Sequence, residues 1–142
     1  MSENFTLHQL LQRDCFELIH FPLSTLLLMN DSHYPWFVLV PRVADINDIY
    51  QLSWEQQQQL LNESSMLSEV LMQIYQGEKM NVAALGNVCE QLHVHHIVRF
   101  KNDKAWPKPV WGEFPAQPYT DNELLKLKEK LIPALNTILT QV

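Results

Sequence analysis

The sequence predicts an α+β fold, a five-stranded antiparallel sheet with two main helices. Three observations lead there. Short apolar runs follow one another with connections of only turn length, so consecutive strands pair antiparallel. Two capping boxes each open a stretch of helical apolar spacing. The resulting order, β-β-β-α-β-β-loop-α, keeps the helices outside the strand runs instead of alternating with them.

Phe16 to His20 and Thr25 to Met29 are apolar runs around Pro22-Leu23-Ser24, which reads as a hairpin. Asn30-Asp31-Ser32 makes a turn, and Trp36 to Val40 forms a third strand that Pro41 stops. Ser53 with Gln56 three positions on is the first capping box, followed by Leu60, Leu61, Leu67, Val70, Leu71 and Ile74 at helical spacing. Gly77 is expected to end that helix. Met80 to Leu85 and Leu92 to Phe100 read as the last two strands. Four of the eight prolines fall between Lys101 and Pro118, which predicts a long irregular loop. Thr120 with Glu123 is the second capping box, and the helix behind it carries Leu124, Leu127, Leu131, Leu135 and Ile138, with a kink expected at Pro133.

A chain of 142 residues suits one domain over 1–142, with a core at about 15–112 and a C-terminal loop and helix at 113–142. Its 46% apolar and 18% charged residues place it in the globular class. A formal net charge of −6 argues against a nucleic-acid binder that relies on a basic surface. The best apolar run, Trp36 to Pro41, is six residues long, far short of a membrane helix. Met1-Ser2-Glu3-Asn4 has neither a basic region nor an apolar one, so no signal peptide is expected. Cys15 and Cys89 offer neither zinc spacing nor a disulfide framework. The expected location is the reducing cytoplasm.

The chemistry concentrates in Gln91-Leu92-His93-Val94-His95-His96-Ile97-Val98-Arg99. On a strand, alternation puts Gln91, His93, His95, Ile97 and Arg99 on one face and Leu92, Val94, His96 and Val98 on the core face. Two imidazoles, His93 and His95, then stand roughly 7 Å apart by strand rise. Imidazole titrates nearest neutrality, so such a pair can supply a nucleophile, an acid or a base. The same spacing also suits a metal or a purely structural pair. A metal would need a third ligand from far away, since no Asp, Glu or Cys stands directly beside the two. His96 reads as a core-edge histidine with a hydrogen-bond partner.

This stretch resembles the signature of the histidine-triad (HIT) family, His-φ-His-φ-His-φ-φ followed closely by a basic residue. His93 takes the central place, His95 the third, and Gln91 stands where the family has its first histidine. Phe37-Val38-Leu39-Val40-Pro41-Arg42 resembles the family's apolar strand ending in Pro and a basic residue. Asn81 to Asn87, through Gly86, is similar to its Asn- and Gly-containing segment, and Trp106-Pro107 to Trp111-Gly112 to a late Trp/Pro/Gly segment. The resemblance spans roughly residues 15–112 and is nearest to a bacterial branch described as HIT-like or diadenosine-polyphosphate-hydrolase-like.

The resemblance implies a HIT-like fold and a homodimer. It also implies a hydrolase or nucleotidyl transferase acting at the α-phosphate of a nucleotide or dinucleoside polyphosphate. His93 would be the nucleophile and His95 a hydrogen-bond partner of phosphate or leaving-group oxygens. Gln91 would donate to phosphate in the same pocket, and Gln91→His would restore the family pattern there. Asn30 or Asp31 resembles the ribose-binding position, although an Asx turn explains both as well. Asn81 and Asn87 are candidate phosphate or histidine partners, with turn roles as the alternative. Arg99, Lys101, Lys104 and Lys108 place four of the ten basic residues in one stretch suited to phosphate, or in an ordinary solvated loop. No cofactor or resident metal is expected, only a divalent cation that could accompany a polyphosphate. Neither a nucleic acid nor a membrane is an expected partner. The competing function is a nucleotide-binding or interaction protein without turnover, its triad altered at Gln91.

Overall fold

A computed structural model describes residues 4–140 of the chain. The chain order is α1 (Gln9–Asp14), β1 (Cys15–His20), β2 (Ser24–Met29), β3 (Trp36–Pro41), a 3-10 turn (Ile49–Gln51), α2 (Trp54–Tyr75), β4 (Lys79–Ala83), β5 (Val94–Arg99) and α3 (Asp121–Leu139). The five strands form one sheet in the order β1-β2-β3-β5-β4, with every neighbouring pair antiparallel. This is the predicted α+β architecture.

Local chemistry accounts for most boundaries. The β1–β2 hairpin closes where the Phe21 N–H donates to the Ser24 carbonyl at 2.8 Å. Both capping boxes form as spelled, Ser53 with Gln56 at the start of α2 and Thr120 with Glu123 at the start of α3. One boundary differs from expectation. The residue that ends α2 in the left-handed region is Gln76 (φ 53°, ψ 44°), not Gly77. Glycine is required at 77 for another reason: a Cβ there would land on the Val98 side chain and the Met72 sulfur. Pro133 lies inside α3, which runs as one element from Asp121 to Leu139. An early helix, α1, has no counterpart in the sequence reading.

Period-two alternation divides the buried residues between two layers. On the helix side, Leu26, Leu28, Phe37, Leu39, Val94 and Val98 meet Leu60, Leu67 and Leu71 of α2 and Leu131, Leu135 and Ile138 of α3. The opposite face presents Leu27, Trp36, Val38, Val40 and Ile97, covered by Leu11 of α1 and by Ala105 and Val110 of the long loop. Glu63 of α2 is fully buried, yet satisfied. Its carboxylate accepts the N–H groups of Leu23 and Ser24 at 2.8 and 3.0 Å and the Gln59 amide at 2.8 Å, pinning the helix to the hairpin. Trp36 and Tyr75 are packed within the chain. The exposed apolar residues include Trp54, Leu61 and Val82, the last on the edge strand β4. Among the described residues no helix is long and apolar enough to cross a membrane. Both cysteines are free thiols.

Candidate active site

Strand β5 and the residue just before it, His93, sort the histidines as alternation predicts. His96 faces the helix-side core, where its Nδ1–H donates to the Val94 carbonyl (3.0 Å) and its Nε2 pairs with the Ser64 hydroxyl (2.7 Å). Burial holds it neutral, with a pKa lowered to about 4. His93 and His95 lie on the other face, their ring centroids 4.9 Å apart in an edge-to-face arrangement. That is closer than strand rise alone gives, because the two rings lean together.

Their nitrogens are assigned by their partners. His93 Nδ1 is 2.7 Å from the Gln91 carbonyl oxygen. A carbonyl only accepts, so Nδ1 carries the proton and Nε2 keeps its lone pair. His95 Nδ1 lies 2.9 Å from the Trp36 indole nitrogen, which only donates. Nδ1 of His95 is therefore bare and its Nε2 holds the hydrogen. The pair thus offers one nucleophilic nitrogen and one donor, in opposite neutral tautomers. Burial lowers the His93 pKa, with the Gln91 carbonyl opposing and His8 adding to the depression. Burial, then His93 and His96, push His95 down to about 3, against the pull of the Leu85 carbonyl.

The Gln91 side chain does not stand in the histidine row that alternation predicts. Regular strand begins only at Val94, so residue 91 sits in the lead-in. The Gln91 amide instead accepts the His8 N–H at 2.9 Å and donates to the Thr6 carbonyl at 2.8 Å. It fastens the N-terminal segment, and only its main-chain oxygen serves the histidines.

Two adjoining cavities form a groove beside the pair. One, of about 370 Å³, is lined by His93 and His95 with Leu10, Leu11, Asn87 and Cys89. The other, of about 400 Å³, is lined by Asn30, Asp31, Val110, Gly112, Phe114 and Pro118. Arg13, Asp14, Met29, Trp36 and Trp111 line both, so the two spaces adjoin along these residues. Gly112, with φ +77°, turns the chain at the groove wall in a conformation that favours glycine.

Of the predicted residues, His93, His95, Asn87, Asn30 and Asp31 reach this groove. Asn30 and Asp31 are also bound to the loop before α3. The Asn30 side-chain oxygen accepts the Tyr119 N–H at 2.8 Å, and Asp31 Oδ1 accepts from Gln117 and His33 N–H groups at 3.2 and 3.1 Å. Arg99 and Asn81 do not reach it. Arg99 is 1% exposed and donates to both Asp103 carboxylate oxygens, to Asn81 Oδ1 and to the Lys108 carbonyl. These two residues hold down the loop that carries Trp111. Lys101 and Lys108 lie near Glu78 and Glu113, and Lys104 sits over the Phe114 ring, so the basic stretch lines neither cavity. The sequence reading missed α1 with His8 and Arg13, and the role of Trp36. Among the described residues no three His, Cys, Asp or Glu side chains gather as a metal-binding group.

Comparison with known proteins agrees with this geometry. Residues 11–102 match the HIT domain family. A histidine triad protein from Marinobacter aquaeolei VT8 is 53% identical, covers 94% of this chain and 98% of its own, and superposes with a TM-score of 0.92. A histidine triad protein from Bradyrhizobium japonicum is 40% identical over 92% of this chain and 98% of its own, with a TM-score of 0.90. One from Sinorhizobium meliloti 1021 is 37% identical over 92% and 97%, with a TM-score of 0.89. No curated protein matches the chain.

Proposed function

The chain belongs to the HIT domain family, and on that footing we propose that it is a nucleotidyl hydrolase or transferase acting at an α-phosphate through His93. The observation that carries the reading is the hydrogen bond from His93 Nδ1 to the Gln91 carbonyl, because it leaves the Nε2 lone pair for attack. In the first step Nε2 forms a bond to the α-phosphorus while the bond to the leaving group breaks. A phosphate leaving group departs with the electron pair and needs no proton, whereas the amine of a phosphoramidate takes a proton from solvent as it leaves. As positive charge grows on the His93 ring, the Nδ1–H bond to the carbonyl strengthens. His95, kept neutral with hydrogen on Nε2, donates to a phosphoryl oxygen. Water then displaces the imidazole, the N–P pair returns to Nε2, and the water proton passes to solvent.

The second cavity suits the nucleoside. Asp31 Oδ1 is engaged with backbone N–H groups, which leaves Oδ2 to accept ribose hydroxyls, and Trp111 offers an aromatic wall. Dinucleoside polyphosphates or nucleoside phosphoramidates are the substrate classes of this reading. It calls for no resident cofactor, and a divalent cation would enter only with a polyphosphate. The edge strand β4 and the exposed Leu61 and Val82 favour a homodimer. The same reading places the enzyme in the cytoplasm.

The test is to incubate the protein with labelled dinucleoside polyphosphate and trap an acid-labile phosphoramidate. Wild type should yield it and His93→Ala should not, with turnover lost by orders of magnitude. Turnover above a few per cent in His93→Ala would remove His93 as the nucleophile. Nucleotide binding with neither turnover nor adduct would make the protein a binder.

A further inference from the structure

A phosphate chain brings several negative charges into a groove that already holds Asp14 and Asp31. The basic stretch after β5 cannot balance them, since Arg99 is buried on Asp103 and none of Lys101, Lys104 and Lys108 lines either cavity. Among the described residues that line the groove, Arg13 is the one lysine or arginine, and it lines both halves.

Its geometry is prepared for an anion. Arg13 Nε and Nη2 donate to the two Asp14 carboxylate oxygens at 2.7 and 2.9 Å. A guanidinium has five N–H donors in a planar fork, so both hydrogens on Nη1 and one on Nη2 remain for another acceptor. Asp14 fixes the plane of the fork, which lowers the ordering cost of a second contact. The Arg13 side chain is 68% exposed and so is reached by water and solute alike. Its helix, α1, is seated by the Gln91 amide on the segment just ahead of it.

We infer that Arg13, oriented by Asp14, is a phosphate-binding residue that grips the substrate's phosphate chain where the two halves of the groove meet. The inference rests on the nucleotide reading above and adds a discriminating group to it: Arg13 separates nucleotides from nucleosides.

The experiment is calorimetric titration of AMP against adenosine, and of GMP against guanosine, into wild type, Arg13→Gln and Arg13→Lys. Wild type should bind the monophosphate at least about tenfold more tightly than the nucleoside, an advantage that shrinks with added salt. Arg13→Gln should lose about tenfold in monophosphate affinity while its nucleoside affinity stays within about twofold. Arg13→Lys should recover part of the loss, because it restores charge without the fork. Undiminished monophosphate binding by Arg13→Gln overturns the inference and leaves the nucleotide reading standing. Equal loss for monophosphate and nucleoside also overturns it, by making Arg13 a wall residue. A wild type that binds none of the four overturns the nucleotide reading and the inference with it.

Discussion

Replacing Gln91 with alanine should open the N-terminal segment without unfolding the sheet. The substitution deletes two hydrogen bonds, from the His8 N–H to Oε1 and from Nε2 to the Thr6 carbonyl. At roughly 0.5–1.5 kcal/mol net each, local opening of residues 6–14 becomes easier by about 1–3 kcal/mol. That corresponds to exchange about 5- to 150-fold faster for the amides whose opening follows this segment, since about 1.4 kcal/mol is a factor of ten. Hydrogen exchange with mass spectrometry reads it directly, peptide by peptide. Peptides from β2 and β3 serve as the internal control, being buried and paired on both sides. The Gln91 carbonyl survives the change, so His93 keeps its tautomer. Activity should therefore fall mainly through KM, as the wall formed by Leu10, Leu11 and Arg13 loosens. Exchange in residues 6–14 within twofold of wild type would refute the latch. An equal rise in β2 and β3 would refute it too, by showing a global loss of stability.

Three further outcomes are expected. Imidazole ¹⁵N spectra near pH 7.5 should show His93 protonated at Nδ1 and His95 at Nε2, and finding both rings in one tautomer contradicts the assignments. Acid should destabilise the fold early: His93, His95 and His96 all have folded pKa values below the unfolded value near 6.5, so the unfolded chain binds more protons. Stability is then full above about pH 6.5 and is lost as pH falls towards the folded values of about 4 for His96 and about 3 for His95, by up to about 1.4 kcal/mol per pH unit for each such group. A urea midpoint that stays flat from pH 7.5 to 5 contradicts this. Sedimentation at micromolar concentration should show a dimer, and a lone 16.7 kDa species would contradict the homodimer.

What could be read from the sequence was what neighbours in sequence decide. The two capping boxes and the alternation along β5 need only a few adjacent residues, so helix starts and the separation of His96 from His93 and His95 were legible. The Gln91 latch is not legible, because its amide partners lie 83 and 85 positions away and no local pattern points to them. Arg99 carried a readable hint, Asp103 four residues on, but its burial depends on how the loop folds back. α1 has six residues and is capped by a histidine side chain, which accepts the Leu10 N–H, so it lacks the usual helix-start signal. Trp36 looks like an ordinary strand aromatic until its indole meets His95.

The distance in sequence spanned by the Gln91 latch also sets an order of assembly. Strands β1, β2 and β3 pair through short turns and can form early, whereas the latch closes a loop of more than eighty residues. Closing so long a loop costs entropy that only a largely formed sheet can offset. The cleft wall is therefore the last part of this face to settle and the first to come loose. A chain can hold its complete sheet and helices while its cleft stands open. Far-ultraviolet circular dichroism would count such a chain as native, and only a ligand or an exchange measurement would tell it apart.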